Sequence, residues 1–423
     1  MDLIKKYDNG LTLVIKEMEG IYSVSSAVIV NVGSSLETIE CNGYSHFIEH
    51  MLFKGTVYRT SLEISESIEN VGGQLNAYTS KDSTCFYTKT ASNHLERSLD
   101  LLSDMFFNSV FDSEEMNRER SVIIEEITMG DDMPDEVCHD LIAEALYGDN
   151  SLGQTIIGSK ENIEAVTREQ LITFMDKHYV AKNVCISIAG NVDVALAQEY
   201  VEKYFLVAFN TMRKDTSKDL LAHQPTNSVY KKKIKESEQC YVSIGCEANG
   251  LGDLENFPNS VLSNILGGGM SSRLFQALRE KQGLCYSVFS YLSAYNNNGY
   301  FEIYVGTSPK KVKTAIIALK DEINKLKLEG VTQEELKRGK EQYKGAMLLA
   351  LENSITVATL YGGYAIRTGE LLDIKERIEK TEAVTNEDIM QSINKLLDVN
   401  NYSLAYVGKA IRTDLLKLLK TNK

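Results

Sequence analysis

Proline is scarce in this chain, with four in 423 residues, and histidine nearly as scarce, with six. The seven cysteines (41, 85, 138, 185, 240, 246 and 285) contain no CxxC pair. Their odd number and scattered spacing exclude a disulfide framework and suit buried thiols in a reducing cytoplasm. No apolar run approaches the roughly 18 residues needed to span a bilayer, so no membrane partner is expected. The opening MDLIKKYDNGLTLVIKEM has neither an apolar signal core nor an Arg/Ser-rich transit pattern, which points to a cytoplasmic protein. Positive charge is in deficit: 45 Lys+Arg face 59 Asp+Glu, a net of −14. Such a field repels nucleic acid and attracts basic peptides. Gly267-Gly268-Gly269 is not followed by G-K-[ST], so it is not a phosphate-binding loop. It reads as a helix stop, with Ser271 capping the helix that follows and substrate contact as the lesser reading.

What the chain does have is ordinary globular composition, 43% hydrophobic and 25% charged, and length for two or three domains. Strand signals at 10–16, 24–32, 74–80, 84–90 and 184–189 alternate with helical patterns at 45–53, 61–70, 94–108, 113–129 and 167–177. Thr60 with Glu63 forms a capping box, and Gly72-Gly73 ends that helix. A polar stretch holding Pro225 reads as a linker. The second half repeats the order: strands at 240–246, 286–291, 299–305 and 402–407, helices at 259–266, 271–281, 310–328, 333–360 and 386–397. The expected fold is α+β: two homologous domains, each an antiparallel sheet packed with helices, arising by internal duplication. The expected boundaries are 1–208, a linker at 209–228, and 229–423.

Residues 46–50 read His-Phe-Ile-Glu-His. At about 100° per residue, His46, Glu49 and His50 fall within roughly 100° of one helical face. Two imidazoles one turn apart can share a metal ion, and a carboxylate on their edge can reach a metal-bound water; the order inverts the HExxH metalloprotease motif. Composition predicts about 0.01 chance matches to H-x-x-[DE]-H, so the pattern carries information. A catalytic zinc takes three protein ligands and leaves one position open. Spacing alone leaves the third ligand open among His94, His139, His178 and many carboxylates.

GYSHFIEHMLFKGT resembles the insulinase/pitrilysin superfamily of zinc peptidases, the inverzincins. It is most similar to the short members, which include the mitochondrial processing peptidase β subunit and bacterial homologues. The likeness extends along the chain through Asn76-Ala77-Tyr78-Thr79, Val122-Ile123-Ile124-Glu125-Glu126-Ile127, SLGQTIIG at 151–158 and GGGMSSRLFQALREKQGLCYSV at 267–288. It implies Glu126 as the third ligand, and helical phase agrees, since Glu126 borders the apolar stripe through Ile123 whereas Glu125 lies off it. It implies that Glu119, two turns earlier, orients a ligand histidine, and that Asn76 and Ala77 lend a strand edge to the substrate. Arg279 and Tyr286 are implied to hold substrate and stabilise the oxyanion. The activity implied is a metalloendopeptidase with one Zn2+ per chain and Glu49 as acid–base catalyst, acting on extended peptides. The partner implied is a second copy in a clam-like chamber, with a different second chain as the alternative. Some relatives of this kind are catalytically silent scaffolds or substrate-holding subunits, which is the competing reading.

Overall fold

A computed structural model describes residues 2–212 and 228–421. It contains two compact α+β units, and both are discontinuous in sequence. The first comprises described residues 2–127, 155–212 and 348–372; the second comprises 128–154, 228–347 and 373–421. A division at 208 and 229 keeps each half intact, whereas the structure exchanges one segment from each. Most of the 209–228 linker lies outside the described residues; its first residues belong to the helix Val207–Met212.

The first unit is built on six strands: β1 (Asp2–Lys6), β2 (Thr12–Glu17), β3 (Ser23–Val30), β4 (Gln74–Thr79), β5 (Thr84–Ala91) and β6 (Val184–Gly190), in the order β1-β2-β6-β3-β5-β4. The β2–β6 pair is parallel and the other pairs are antiparallel. One face buries Leu13, Ile15, Val28, Ile186 and Ile188 against Phe47, Ile48, Leu99, Leu102 and Phe106 of its helices. The second unit has β7 (Tyr230–Ile234), β8 (Cys240–Ala248), β9 (Cys285–Ala294), β10 (Gly299–Thr307) and β11 (Ser403–Gly408), in the order β7-β11-β8-β10-β9. Here β7–β11 is the parallel pair. The second sheet therefore repeats the β2-β6-β3-β5-β4 portion of the first, strand for strand, as the repeated order in the sequence implies. The extra strand β1 and the short β7 are polar edge strands with little periodic signal, and pattern reading passes over them.

The exchanged segments cover the other face of each sheet. Helix Pro134–Tyr147 packs on β8 and β11, and helix Ser354–Thr368 packs on β2, β3 and β6. Small residues allow the close approach. A Cβ on Gly362 would stand 2.5 Å from both Ile29 Cδ1 and Ser187 Cβ, and one on Gly245 would stand 3.0 Å from Leu146 Cδ1. Ser25 and Ser354 hydroxyls, both buried, meet at 2.9 Å. In the second unit the carboxylate of Glu302, fully buried, accepts from Ser243 (2.6 Å), from the Tyr291 hydroxyl, and pairs with His139 Nδ1 (2.8 Å). Each group would be costly to bury alone, and together they pin the helix to the sheet.

Helix Pro134–Tyr147 carried a legible signal, with proline at its first turn followed by Asp135 and Glu136. The expected helix over 333–360 is two helices, Gln333–Ala350 and Ser354–Thr368. The side chain of Asn353 accepts from Ile355 N and starts the second. The expected helix over 271–281 begins at Arg273 and continues with wider π-type turns over Phe275–Glu280, with Ser272 supplying its first carbonyl. Gly267 and Gly268 do end the preceding helix, Asn256–Gly267, but through close packing: a Cβ on Gly267 would lie 2.4 Å from Ser290 N. The Thr60–Glu63 capping box is present in both directions.

Arg273 and Glu335, both largely buried, form a two-pronged ion pair at 2.7 and 2.8 Å. Burial pushes the Glu335 carboxyl up, but the Arg273 guanidinium and the Thr332 N–H outweigh it and hold the pKa at about 2. A depressed carboxylate stabilises the fold above its unfolded pKa of about 4.5, and that contribution disappears as pH falls from there towards 2. Glu335→Gln should therefore unfold more easily than the parent at pH 7, by up to about 3 kcal/mol. Denaturant titrations at a series of pH values should show the gap closing below pH 4.5, and a gap independent of pH would be the contrary result.

Candidate metal and catalytic centre

Helix Tyr44–Leu52 supplies three of the predicted residues. Tyr44, Phe47, Ile48, Met51 and Leu52 are buried in the first unit's core. That burial fixes the rotation of the helix and turns His46, Glu49 and His50 to the opposite side. Its start is unusual. Gly43 occupies the N-cap position at φ +100°, a left-handed conformation, and has no side chain to cap with. Glu37 caps instead: its Oε2 accepts from Gly43 N (2.8 Å) and its Oε1 from Ser45 N (2.6 Å). Burial pushes this carboxyl up, while the bonds from Ser45, Gly43 and Asn42 favour its charged form. Residues 155–158 back the same turn. Asn42 Nδ2 donates to Thr155 O (2.8 Å), and a Cβ on Gly43 would lie 2.8 Å from Ile157 O. Sequence reading missed Glu37, since it precedes the helix by a loop and matches no local capping pattern.

Helix Ser113–Asp131 brings the fourth residue. Met116, Glu119 and Ile123 form its buried stripe, and Glu126 continues that stripe by one turn, while Glu125 is exposed. The result is a cluster: one oxygen of Glu126 lies 3.8 Å from His46 Nε2 and 3.6 Å from His50 Nε2, and ligand atoms of the three residues all fall within 4.8 Å. Ligands around a tetrahedral zinc stand about 3.3 Å apart, so the spacing is slightly open but of the right size. The donor set, two imidazole nitrogens and one carboxylate oxygen, is that of a three-ligand zinc centre with a position to spare.

The surroundings also fit a cation. Glu119, almost fully buried, binds His50 Nδ1 at 2.9 Å and Lys54 Nζ at 2.7 Å. Burial raises the Glu119 pKa, but those two partners outweigh it and lower it. With Nδ1–H donating to Glu119, the neutral ring of His50 keeps its Nε2 lone pair, 3.6 Å from the Glu126 oxygen, for a cation held between them. Burial opposes charge on His50, but its bond to Glu119 and the fields of Glu126, Glu119 and Glu49 prevail and raise its pKa. His46 is driven down to about 3 by burial and by neighbouring His50, so it is a neutral donor at pH 7. Glu49 is pushed up by burial, an effect reduced by Thr79 and His50 and reinforced by Glu126. A carboxyl raised in this way is better matched to proton transfer near neutrality than a free one.

The family of the chain is decided by comparison with known proteins. Residues 13–160 match the family model for insulinase (peptidase family M16), and residues 165–343 match the peptidase M16 inactive domain. The chain belongs to peptidase family M16. Among its relatives is the uncharacterized zinc protease YmxG of Bacillus subtilis, 37% identical over 96% of this chain and 98% of that one. An uncharacterized zinc protease of Rickettsia felis is 35% identical over 93% of this chain and 94% of its own. Among solved structures, a protease from Helicobacter pylori superposes with a TM-score of 0.90 at 23% identity, over 96% of this chain and 99% of that chain. That likeness bears on the fold, which this M16 chain shares.

The remaining predicted residues fall elsewhere. Asn76 and Ala77 sit on β4, the free edge of the first sheet, and Ala77 N donates to Asn76 Oδ1 at 2.8 Å. Arg279 and Tyr286 belong to the second unit and meet there, the guanidinium 5.6 Å from the centre of the tyrosine ring, both exposed. Of the other histidines considered as ligands, His139 pairs with Glu302 in the second unit, and His178 packs on Phe174, with burial and Lys177 lowering it to about 4. Among the described residues only His46, His50 and Glu126 form a cluster of metal-ligand type.

Removing the Glu37 carboxylate should strand two buried N–H groups at the start of the ligand helix. Glu37→Ala is expected to destabilise the protein by about 2–4 kcal/mol and to weaken zinc binding with it. Denaturant unfolding and competitive zinc titration measure both, and parental values would show that the helix start does not depend on Glu37.

Proposed function

We propose that this chain is a zinc-dependent metalloendopeptidase that hydrolyses extended peptides or unfolded segments. The observation that carries the proposal is the placement of Glu49 on the same helical face as His46 and His50, beside Glu126. When bound by His46, His50 and Glu126, zinc supplies Lewis acidity and acidifies water in the site. Glu49 takes the proton from the attacking water and returns one to the leaving amine. Glu119 keeps His50 in one tautomer and one ring orientation. The exposed edge of β4 offers backbone groups to an extended peptide, and this favours substrates without compact structure. Arg279 and Tyr286 are proposed to hold the substrate and to donate to the developing oxyanion, roles taken from the family resemblance. The alternative, a silent scaffold or a substrate-holding subunit of a heterodimer, is disfavoured by the presence of the complete His-Glu-His and Glu126 set.

Glu49→Gln should lower hydrolysis of a fluorogenic peptide by at least about 100-fold while zinc stays bound. Chelation of the parent should abolish hydrolysis, and added zinc should restore it. Unchanged turnover in the variant would remove Glu49 from the chemistry and favour the scaffold.

We further propose that two copies assemble as a homodimer enclosing a chamber, and that the protein works in the cytoplasm. All seven cysteines are unpaired and six are buried, which supports a reducing compartment. Among the described residues no helix is long and apolar enough to cross a membrane. Light scattering beside a peptide assay tests the assembly: variants forced to be monomeric should lose activity, and full activity in a monomer would refute the dimer.

A further inference from the structure

Glu49 has a partner that the sequence motifs do not assign. Thr79 Oγ1 donates to Glu49 Oε2 at 2.5 Å, and among the described residues it is the only hydrogen-bond partner of that carboxyl. We infer that Thr79 is a positioning residue that holds Glu49 in its working orientation, an inference that rests on the peptidase reading above.

The need for such a partner follows from side-chain mechanics. The terminal torsion of a glutamate is broad and soft, so packing of its stem leaves the two oxygens free to rotate. A short bond to one oxygen fixes the plane and leaves the other, Oε1, for proton transfer. Thr79 is well suited to the task. It is β-branched, hence stiff at χ1, and it sits in a strand rather than a loop. The strand itself is anchored: Thr79 pairs with Thr84 across the β4–β5 hairpin, and Thr84 Oγ1 donates to Val32 O at 2.9 Å. The hairpin turn is bonded to the loop after β3, Ser34 N to Ser80 O (3.2 Å) and Ser35 N to Lys81 O (2.8 Å). A Cβ on Gly33 would stand 2.2 Å from Ser80 O, so only glycine lets the two backbones meet. That loop runs on to Glu37, which caps the Glu49 helix. Donor and acceptor are thus fixed to one frame. The strand whose outer edge would receive the peptide at Asn76-Ala77 is also the strand that orients the base.

Thr79→Val keeps shape and removes the hydroxyl; Thr79→Ser keeps the hydroxyl. With the zinc-loaded full chain and a fluorogenic peptide, Thr79→Val should lower kcat by about 10–100-fold. Its KM, zinc stoichiometry and melting temperature should stay at parental values, and Thr79→Ser should recover most of the loss. Parental kcat in Thr79→Val overturns the inference. So does a loss in both variants accompanied by lower melting or zinc loss, which would mark a structural role. A crystal structure of Thr79→Val gives a readout independent of turnover: Glu49 should leave its parental rotamer, and an unmoved carboxyl also overturns the inference. If the parent itself cleaves no peptide, the peptidase reading fails, and the crystal structure alone decides whether Thr79 sets the pose of Glu49.

Discussion

The site depends on a buried carboxylate gripping the start of a short helix. Helix Tyr44–Leu52 opens on a glycine whose left-handed backbone makes a sharp entry and brings no capping side chain. Its first N–H groups would be orphaned in a dry interior without Glu37, which accepts from Gly43 and Ser45. The charged form of Glu37, which burial opposes and these bonds favour, also complements the positive end of the helix dipole. The height and tilt of the helix are set from that end, its rotation is set by Phe47, Ile48, Met51 and Leu52, and the positions of His46, Glu49 and His50 follow. Gly158 serves the same junction. It adopts φ +87°, and a Cβ on it would stand 2.6 Å from Asn42 O, so the backbone at Gly158 presses directly on the turn.

Electrostatics then decide what the site can hold. Glu49, Glu119 and Glu126 converge on His50, with Lys54 as the nearby cation on Glu119. Carboxylates that favour positive charge on an imidazole equally favour a metal ion beside it, and neutral His46 is ready to donate. Three carboxyl groups of one residue type differ in character because their neighbours differ. Glu119 is lowered by His50 and Lys54 and serves as an anchor; Glu49 is raised by burial and suits proton transfer; Glu126, about one-third exposed, points at both Nε2 atoms.

Duplication explains the frame but not its assembly. Each half of the chain yields a sheet of matching strand order, and each sheet must be covered on both faces. In both units the outer helices cover one face, and a helix borrowed from the other half of the chain covers the second. Gly245, Gly362, Ser25, Ser187 and Ser243 form shallow seats for the borrowed helices, and larger residues there would hold them off.

Much was written in the sequence. The His-Glu-His spacing, the stripe through Glu119, Ile123 and Glu126, the capping box at Thr60 and the repeated strand order are local patterns, and local backbone periodicity is what a linear string encodes. Tertiary structure alone decided the rest. Glu37 reaches its helix across a loop, Thr79 reaches Glu49 from a strand, and the helices at 134–147 and 354–368 each lie on the sheet of the other half. The Glu37 contacts span only six and eight positions but follow no regular capping pattern, and the others join residues tens to hundreds of positions apart; their energy comes from burial and from hydrogen bonds that exist only after the chain has closed on itself.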